Sequence, residues 1–464
     1  MSLALTDRYC IVGAGSSGLT VAKNFLQAGL ACDVLERNDD VGGNWYYGRP
    51  GSSVYQSTRL ISSKRLSEFT DFPIPDEYPE FLSHQQAFEY LRSYARAFKL
   101  YDHIQFNTPI AKIEPELTLA RSASERDNAN TDAPLASASG LCAAEKAECP
   151  LFLVTLASGE IRRYKGVVIA NGHNWDPQWP NYPGTFGGTL LHSSQYRTPE
   201  VLTGKRVLVI GGGNSGCDIA VEAAQHAAKT FHSLRRGYHY VPKFLYGLPS
   251  DVVGERLLRW RFPLWLRRFL IGRAINITLG QPESFGLPKP DHRILETHPI
   301  INSQMLYFAG HGMISPKPEV AELLPDGARF ADGTREQLDV IVCATGFKIT
   351  IPFIDERFLN WHDGRPELYL NAFHPRFDNL FVAGLIQPDS GQWGLVDYQA
   401  QLIARFVRAQ TADAALAERF RRLKSQPQSD LSGGVQYIKS SRHLLEVEHF
   451  SYRRRLQKLI AEFG

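Results

Sequence analysis

Cysteine, long apolar runs and an excess of either charge are all in short supply in this chain. Six cysteines (Cys10, Cys32, Cys142, Cys149, Cys217 and Cys343) among 464 residues form no C-x-x-C pair and no metal-ligand spacing, which argues against a thiol redox centre, a structural zinc or a disulfide scaffold. A reducing cytoplasm suits them. No uninterrupted apolar stretch approaches the ~20 residues that span a bilayer, and no basic region followed by an apolar one precedes the first strand-like segment. A soluble chain without signal peptide or transmembrane anchor is expected. The 51 basic residues are matched by 48 acidic ones, and the remaining charge of +3 is too small to point to nucleic acid.

What is present reads as α/β. With 43% hydrophobic residues the chain can bury more than one core, and two or three domains are expected. Strand-like Tyr9–Val12 runs into a glycine turn, a helix is expected over 19–28, and a second strand follows at Cys32–Leu35. The same order returns from Arg206–Ile210, with a helix expected over 217–224. Two βαβ openings about 200 residues apart suggest two Rossmann-like dinucleotide-binding domains.

The first glycine turn is Gly13-Ala14-Gly15-Ser16-Ser17-Gly18, and Glu36 stands at the end of the next strand. Gly13 permits the tight turn, Gly15 lets a pyrophosphate approach the backbone, Gly18 lets the helix pack closely, and Glu36 can accept from a ribose diol. Just beyond lies Gly42-Gly43-Asn44-Trp45, a turn able to rest against a flavin. The second fingerprint is Gly211-Gly212-Gly213-Asn214-Ser215-Gly216, and the strand after its helix ends in Ser233-Leu234-Arg235-Arg236. Arginines at that place suit a 2′-phosphate, so NADPH rather than NADH is expected.

Two apolar segments ending at glycine, 166–172 and 339–346, are read as strands that hand the chain between domains, with crossings near Pro183 and Asp339. Strands are also expected over 104–113 and Leu151–Leu156, flanking an Ala- and Ser-rich insertion at 117–149. The segment 252–280 interleaves Arg256, Arg259, Arg261, Arg267, Arg268 and Arg273 with Leu257, Trp260, Phe262, Trp265, Leu266 and Phe269 around Pro263. It reads as a broken helical pair packing its apolar stripe on the second domain and wetting its arginines, with a peripheral membrane contact as the alternative.

With these residues in hand, the sequence resembles the flavin-containing monooxygenases over nearly its whole length. The most specific element is Phe186-x-Gly188-x-x-x-His192-x-x-x-Tyr196, just ahead of the second fingerprint. The resemblance implies an FAD domain in two parts, 1–183 and 339–464, with an NADPH domain at 184–338 inserted between them. It implies a cycle in which NADPH reduces FAD, the reduced flavin captures O2 as a C4a-hydroperoxide, and the distal oxygen passes to an amine nitrogen or sulfide sulfur of a small molecule. Residues implied to hold the cofactors are Gly13, Gly15, Ser17, Gly18, Glu36, Arg37, Gly43, Asn44, Trp45, Ile110 and Gln387 for FAD, and Gly211, Gly213, Asn214, Ser215, Gly216, Ser233, Arg235 and Arg236 for NADPH. Tyr196 is expected to face the nicotinamide, and because Arg197 follows it, nitrogen and sulfur oxygenation is preferred over Baeyer–Villiger oxygenation of a ketone.

The sequence departs from the resemblance at Ile61, where relatives carry an asparagine beside the reactive flavin. Isoleucine donates no hydrogen bond. Either Ser62 or Asn44 takes over that role, or NADPH is diverted to hydrogen peroxide. Two further readings stay open, an uncoupled NADPH oxidase and an FAD-binding sensor. Oligomeric state is also open, a homodimer being one arrangement.

Overall fold

Strand β1 (Tyr9–Val12) is buried at all four positions and leads into helix α1 (Ser16–Gln27), then β2 (Cys32–Leu35), β3 (Ile104–Gln105) and β4 (Gly166–Ile169). The second unit repeats the theme with β5 (Thr189–His192), β6 (Arg206–Ile210), α2 (Asn214–His226) and β7 (Lys229–Ser233). Helices α3 (Ser250–Arg259) and α4 (Leu264–Leu279) follow, then strands β8 (Ile314–Lys317) and β9 (Val340–Cys343). The chain closes with β10 (Leu380–Val382), β11 (Gln387–Pro388), α5 (Trp393–Ala412), β12 (Glu446–Val447) and α6 (His449–Glu462). This computed structural model describes residues 7–116, 149–260, 262–427, 430–438, 440 and 443–464. The body of the Ala- and Ser-rich insertion, Cys142 and Arg261 lie outside them.

Two five-stranded sheets result, ordered β10-β4-β1-β2-β3 and β8-β7-β6-β9-β5. Every pairing in both is parallel. Parallel sheets are covered on both faces, and this is why their central strands are unbroken apolar runs rather than alternating ones. The expected α/β architecture with two Rossmann-like units is present.

The boundaries need two corrections. Residues 340–343 were assigned to the return into the first unit, yet β9 pairs with β6 and β5 in the second sheet. An apolar strand buried at all four positions fills the gap between two parallel neighbours, so the chain returns only beyond Cys343. The two crossing segments then lie side by side, Asp176–Pro177 pairing antiparallel with Phe347–Lys348. The strand expected over 104–113 is two strands in different sheets. A turn with Asn107 at φ 52° separates β3 from Ile110–Glu116, which pairs antiparallel with Leu151–Leu156, so the two strands flanking the insertion lie side by side.

Helices α3 and α4 break around Pro263 as expected, but they do not bury an apolar stripe. Trp260, Trp265, Phe269 and Ile277 are 63%, 69%, 62% and 68% exposed, while Arg267 is buried within electrostatic reach of Glu448 and Asp389. Apolar residues surround α4 on all sides, and the buried charge takes the inward position because acidic partners lie there. No helix among the described residues is long and apolar enough to cross a membrane.

Candidate functional site

Both glycine turns open into one cleft of about 1220 Å³ between the units. In each turn the last glycine is spent on packing: a Cβ on Gly18 would lie 1.8 Å from the Gly13 carbonyl oxygen, and one on Gly216 would lie 1.9 Å from that of Gly211. Neither Gly18 nor Gly216 lines the cleft; Gly13, Gly15, Ser17, Gly211, Gly213, Asn214 and Ser215 do. Helices α1 and α2 begin at Gly15 and Gly213 without a capping side chain and without an acidic residue in the first turn. Their first N–H groups and positive dipole ends are therefore available to an anion at two places in one cavity. This is the donor set that the pyrophosphates of two dinucleotides require.

The residues beside the first turn are arranged around it. Glu36 is 4% exposed and accepts from the Ala14 N–H at 2.6 Å and the Asn38 N–H at 2.9 Å. Its carboxylate thus fixes the glycine loop and still has lone pairs for a ribose. The Arg37 guanidinium lies 5.9 Å from the Trp175 ring, and both line the cleft, as do Ile110 and Gln387. A Cβ on Gly43 would stand 2.9 Å from the Gly15 Cα, so the two loops touch only because neither carries a side chain. Trp45 meets Trp393 edge to face at 5.9 Å.

Ile61, Ser62 and Asn44 all line the cleft, and the polar two are engaged by neighbours. Asn44 Oδ1 accepts from the Ser53 N–H and hydroxyl, each at 2.8 Å. Only its NH2 remains as a donor. The Ser62 hydroxyl shares a hydrogen bond of 2.7 Å with the Ser67 hydroxyl, which also reaches the Ser63 carbonyl at 2.8 Å.

In the second unit Asn214 is used structurally. Its NH2 donates to the Pro299 carbonyl at 3.0 Å and its oxygen accepts from the Ile301 N–H at 2.8 Å, which anchors the loop carrying His298. Ser233, Arg235 and Arg236 line the cleft at the end of β7. Arg236 shares Asp291 at 3.4 Å, whereas Arg235 is exposed and makes no salt bridge among the described residues.

Tyr196 does not face the cleft. It is 0% exposed, donates to Glu222 at 2.6 Å and lies against Tyr55, which itself lines the cleft where Tyr196 does not. Burial pays off for an aromatic ring whose hydroxyl finds a carboxylate, which is why the expected cofactor contact is instead a core contact. The next residue does the joining: Arg197 donates to the Ser52 carbonyl at 2.9 Å and the Val54 carbonyl at 3.1 Å, tying the second unit to the first.

Two cleft residues, Asp218 and His298, and the partner of the second escaped the sequence reading. Asp218 accepts from Asn302 at 2.7 Å and from Tyr55 at 3.4 Å, and burial raises its pKa. It sits four residues after Asn214 on the same face of α2, a spacing that could have marked it. His298 and its partner Glu446 are 148 residues apart and carry no local signal.

A sequence profile of the family described as flavin-binding monooxygenase-like matches residues 6–129 and 155–429. The chain is 30% identical to human flavin-containing monooxygenase 5, over 98% of this chain and 82% of that protein. It is 32% identical to rabbit dimethylaniline monooxygenase [N-oxide-forming] 2, over 86% and 73%. A solved structure of OTEMO in complex with FAD and NADP shares the fold, with a TM-score of 0.67 at 19% identity, over 99% of this chain and 98% of that one.

Proposed function

This chain belongs to the flavin-binding monooxygenase-like family, and from that premise we propose that it binds FAD in the first unit and NADPH in the second, and inserts one oxygen atom of O2 into an amine nitrogen or sulfide sulfur of a small molecule. The observation that carries the reading is the pair of uncapped helix N-termini opening into a single cleft, one beside Glu36 and the other beside Arg235. The first unit on this reading comprises residues up to about Pro183 and those after Cys343. When bound, the flavin supplies the redox chemistry that no side chain in the cleft can perform. The chain's own residues bind and orient: α1 and α2 face the pyrophosphates, Glu36 faces a ribose, Arg235 faces a 2′-phosphate, and Trp45, Ile61 and Gln387 wall off water. Amine oxygenation agrees with the name of the rabbit relative, an N-oxide-forming enzyme.

The test is cofactor release and cofactor choice. Denatured protein should release FAD and not FMN. Arg235→Ala should raise the KM for NADPH by about tenfold or more with little effect on NADH, a lost charge-assisted contact being worth about 1.5–3 kcal/mol. Arg236→Ala should do less, because Asp291 already shares that guanidinium. Equal effects on the two cofactors would reject the 2′-phosphate assignment.

A peripheral membrane contact through α3 and α4 is a second part of the proposal, resting on the exposed Trp260, Trp265, Phe269 and Ile277. It leaves the chemistry of the cleft unchanged.

A further inference from the structure

One wall of the cleft carries a histidine that no cofactor contact above accounts for. His298 is 7% exposed, lines the cleft, and comes from the loop held by Asn214. Its Nδ1 faces Glu446 of β12, 3.2 Å from Oε1 and 3.4 Å from Oε2. The hydrogen bond is made to Oε2, while Oε1 is buried without one, so the carboxylate has an acceptor to spare. β12 pairs with β11, where Gln387 lies opposite Glu446, which places the pair beside the segment facing the flavin in the proposed function. With Nδ1 turned to Glu446, Nε2 is the ring nitrogen left for the cleft.

The surroundings are acidic. Glu446 shares its buried region with Asp389 and Glu448, and the charge facing them from α4 is Arg267, with Tyr437 close by. Burial, then repulsion from Glu448 and Glu446, pushes the Asp389 carboxyl up to about 7. On the other side of His298, the ring of His443 lies 3.4 Å from the His298 backbone N–H and its Nδ1 meets the Ser440 hydroxyl at 2.8 Å. These carboxylates stand behind the lining of the cleft, Asp389 and Glu448 held by backbone N–H groups and Glu446 by His298, so a proton arriving on the His298 ring is placed beside carboxylate oxygens.

We propose that His298, oriented by Glu446, takes the proton from a protonated amine bound in the cleft. The inference rests on the reading of the chain as an oxygenator of soft nucleophiles. An ammonium has no lone pair to offer. In the proton transfer its N–H bond breaks, the electron pair stays on the substrate nitrogen, and the proton bonds to Nε2, giving an imidazolium opposite Glu446. No electron changes hands, and the positive charge stays beside the carboxylates throughout. His298 would touch the substrate; Glu446 is a positioning residue that fixes the ring.

The experiment uses the FAD-loaded full chain and two probes of one shape, N,N-dimethylbenzylamine and benzyl methyl sulfide, of which only the amine arrives protonated. N-oxide and sulfoxide are measured with NADPH over a range of pH. His298→Gln and, independently, His298→Asn should lower the amine-to-sulfide ratio of kcat/KM by about 10²-fold or more, the scale of general base catalysis. The deficit should shrink as pH rises and free amine becomes available. Glu446→Gln, which leaves the ring less firmly oriented, should lower the same ratio by less than the His298 variants do. An unchanged ratio in both His298 variants overturns the proposal, whatever happens to total activity, because the sulfide reports damage to folding or cofactor binding. Wild type that oxygenates neither probe while oxidising NADPH overturns the functional reading and this inference with it, an outcome distinct from one in which both probes react and the ratio stays fixed.

Discussion

Ile61 puts a branched hydrocarbon where the family resemblance implies an amide, and its polar neighbours are already committed. Ser62 shares a hydrogen bond with Ser67, and the Asn44 oxygen holds Ser53. Of the two substitutes considered, the Asn44 NH2 is the one that these contacts leave free to donate. Less stabilisation beside the flavin means more NADPH diverted to hydrogen peroxide, and Ile61→Asn should reverse this. A hydrogen bond to a strongly polar group is worth about 1.5–3 kcal/mol, so the ratio of product to peroxide should rise by about ten- to a hundredfold if the bond is fully made. Product, peroxide and NADPH measured in one reaction decide the matter; an unchanged or lower ratio would leave Ile61 as a wall residue that shapes substrate choice. Asn44→Ala, by the same reasoning, should increase peroxide release in the wild-type background.

At the scale of elements, α1 is fixed to α5 by one buried carboxylate. Asp397 accepts from Thr20 at 2.5 Å, Asn24 at 2.8 Å and Lys23 at 3.0 Å, and Thr70 reaches it too. Burial alone would raise its pKa, but Lys23 and these hydrogen bonds outweigh burial and the net direction is down. A lowered carboxylate pKa contributes stability that is present above the unfolded-state value of about 3.9 and is lost as pH falls through the folded-state value. Asp397→Ala should therefore lower the free energy of unfolding at neutral pH by an amount towards the lower end of the roughly 3–5 kcal/mol typical of a broken buried pair, since Lys23 keeps Asp71 at 2.8 Å. The gap to wild type should narrow below about pH 4; a gap that stays constant with pH would mean that packing, not charge, is what Asp397 supplies. This scale also separates what could be read in advance. Both βαβ openings and their glycine turns were legible, since strand, turn and helix follow within one short segment and periodicity reports them. The sheet membership of β9 was not, because an apolar strand suits either parallel sheet equally. His298 with Glu446, and Tyr55 with Asp218, come together only through tertiary contacts over 148 and 163 residues, and no local pattern encodes such distances.

For the molecule as a whole, the surface around α3 and α4 differs from the rest. Exposed Trp260, Trp265, Phe269 and Ile277 stand near exposed Arg256, Arg259 and Arg273, while the inward Arg267 faces carboxylates. The residues that a free helical pair would bury are those left outside, an inversion that costs stability in water and suits an interface of hydrocarbon rimmed by negative charge. Anionic lipid headgroups match that description, each arginine near such a surface contributing about 1 kcal/mol. The protein should therefore sediment with vesicles of phosphatidylserine and phosphatidylcholine, and less with phosphatidylcholine alone. Raising the salt should weaken the binding, because the electrostatic part is screened beyond a Debye length of about 8 Å at physiological ionic strength. Trp260→Ala, Trp265→Ala and Phe269→Ala combined should abolish sedimentation while leaving NADPH oxidation intact, since none of the three lines the cleft. If the wild type ignores vesicles but forms a concentration-dependent dimer that the triple variant loses, the patch is an interface between two copies of the chain, and the membrane reading falls.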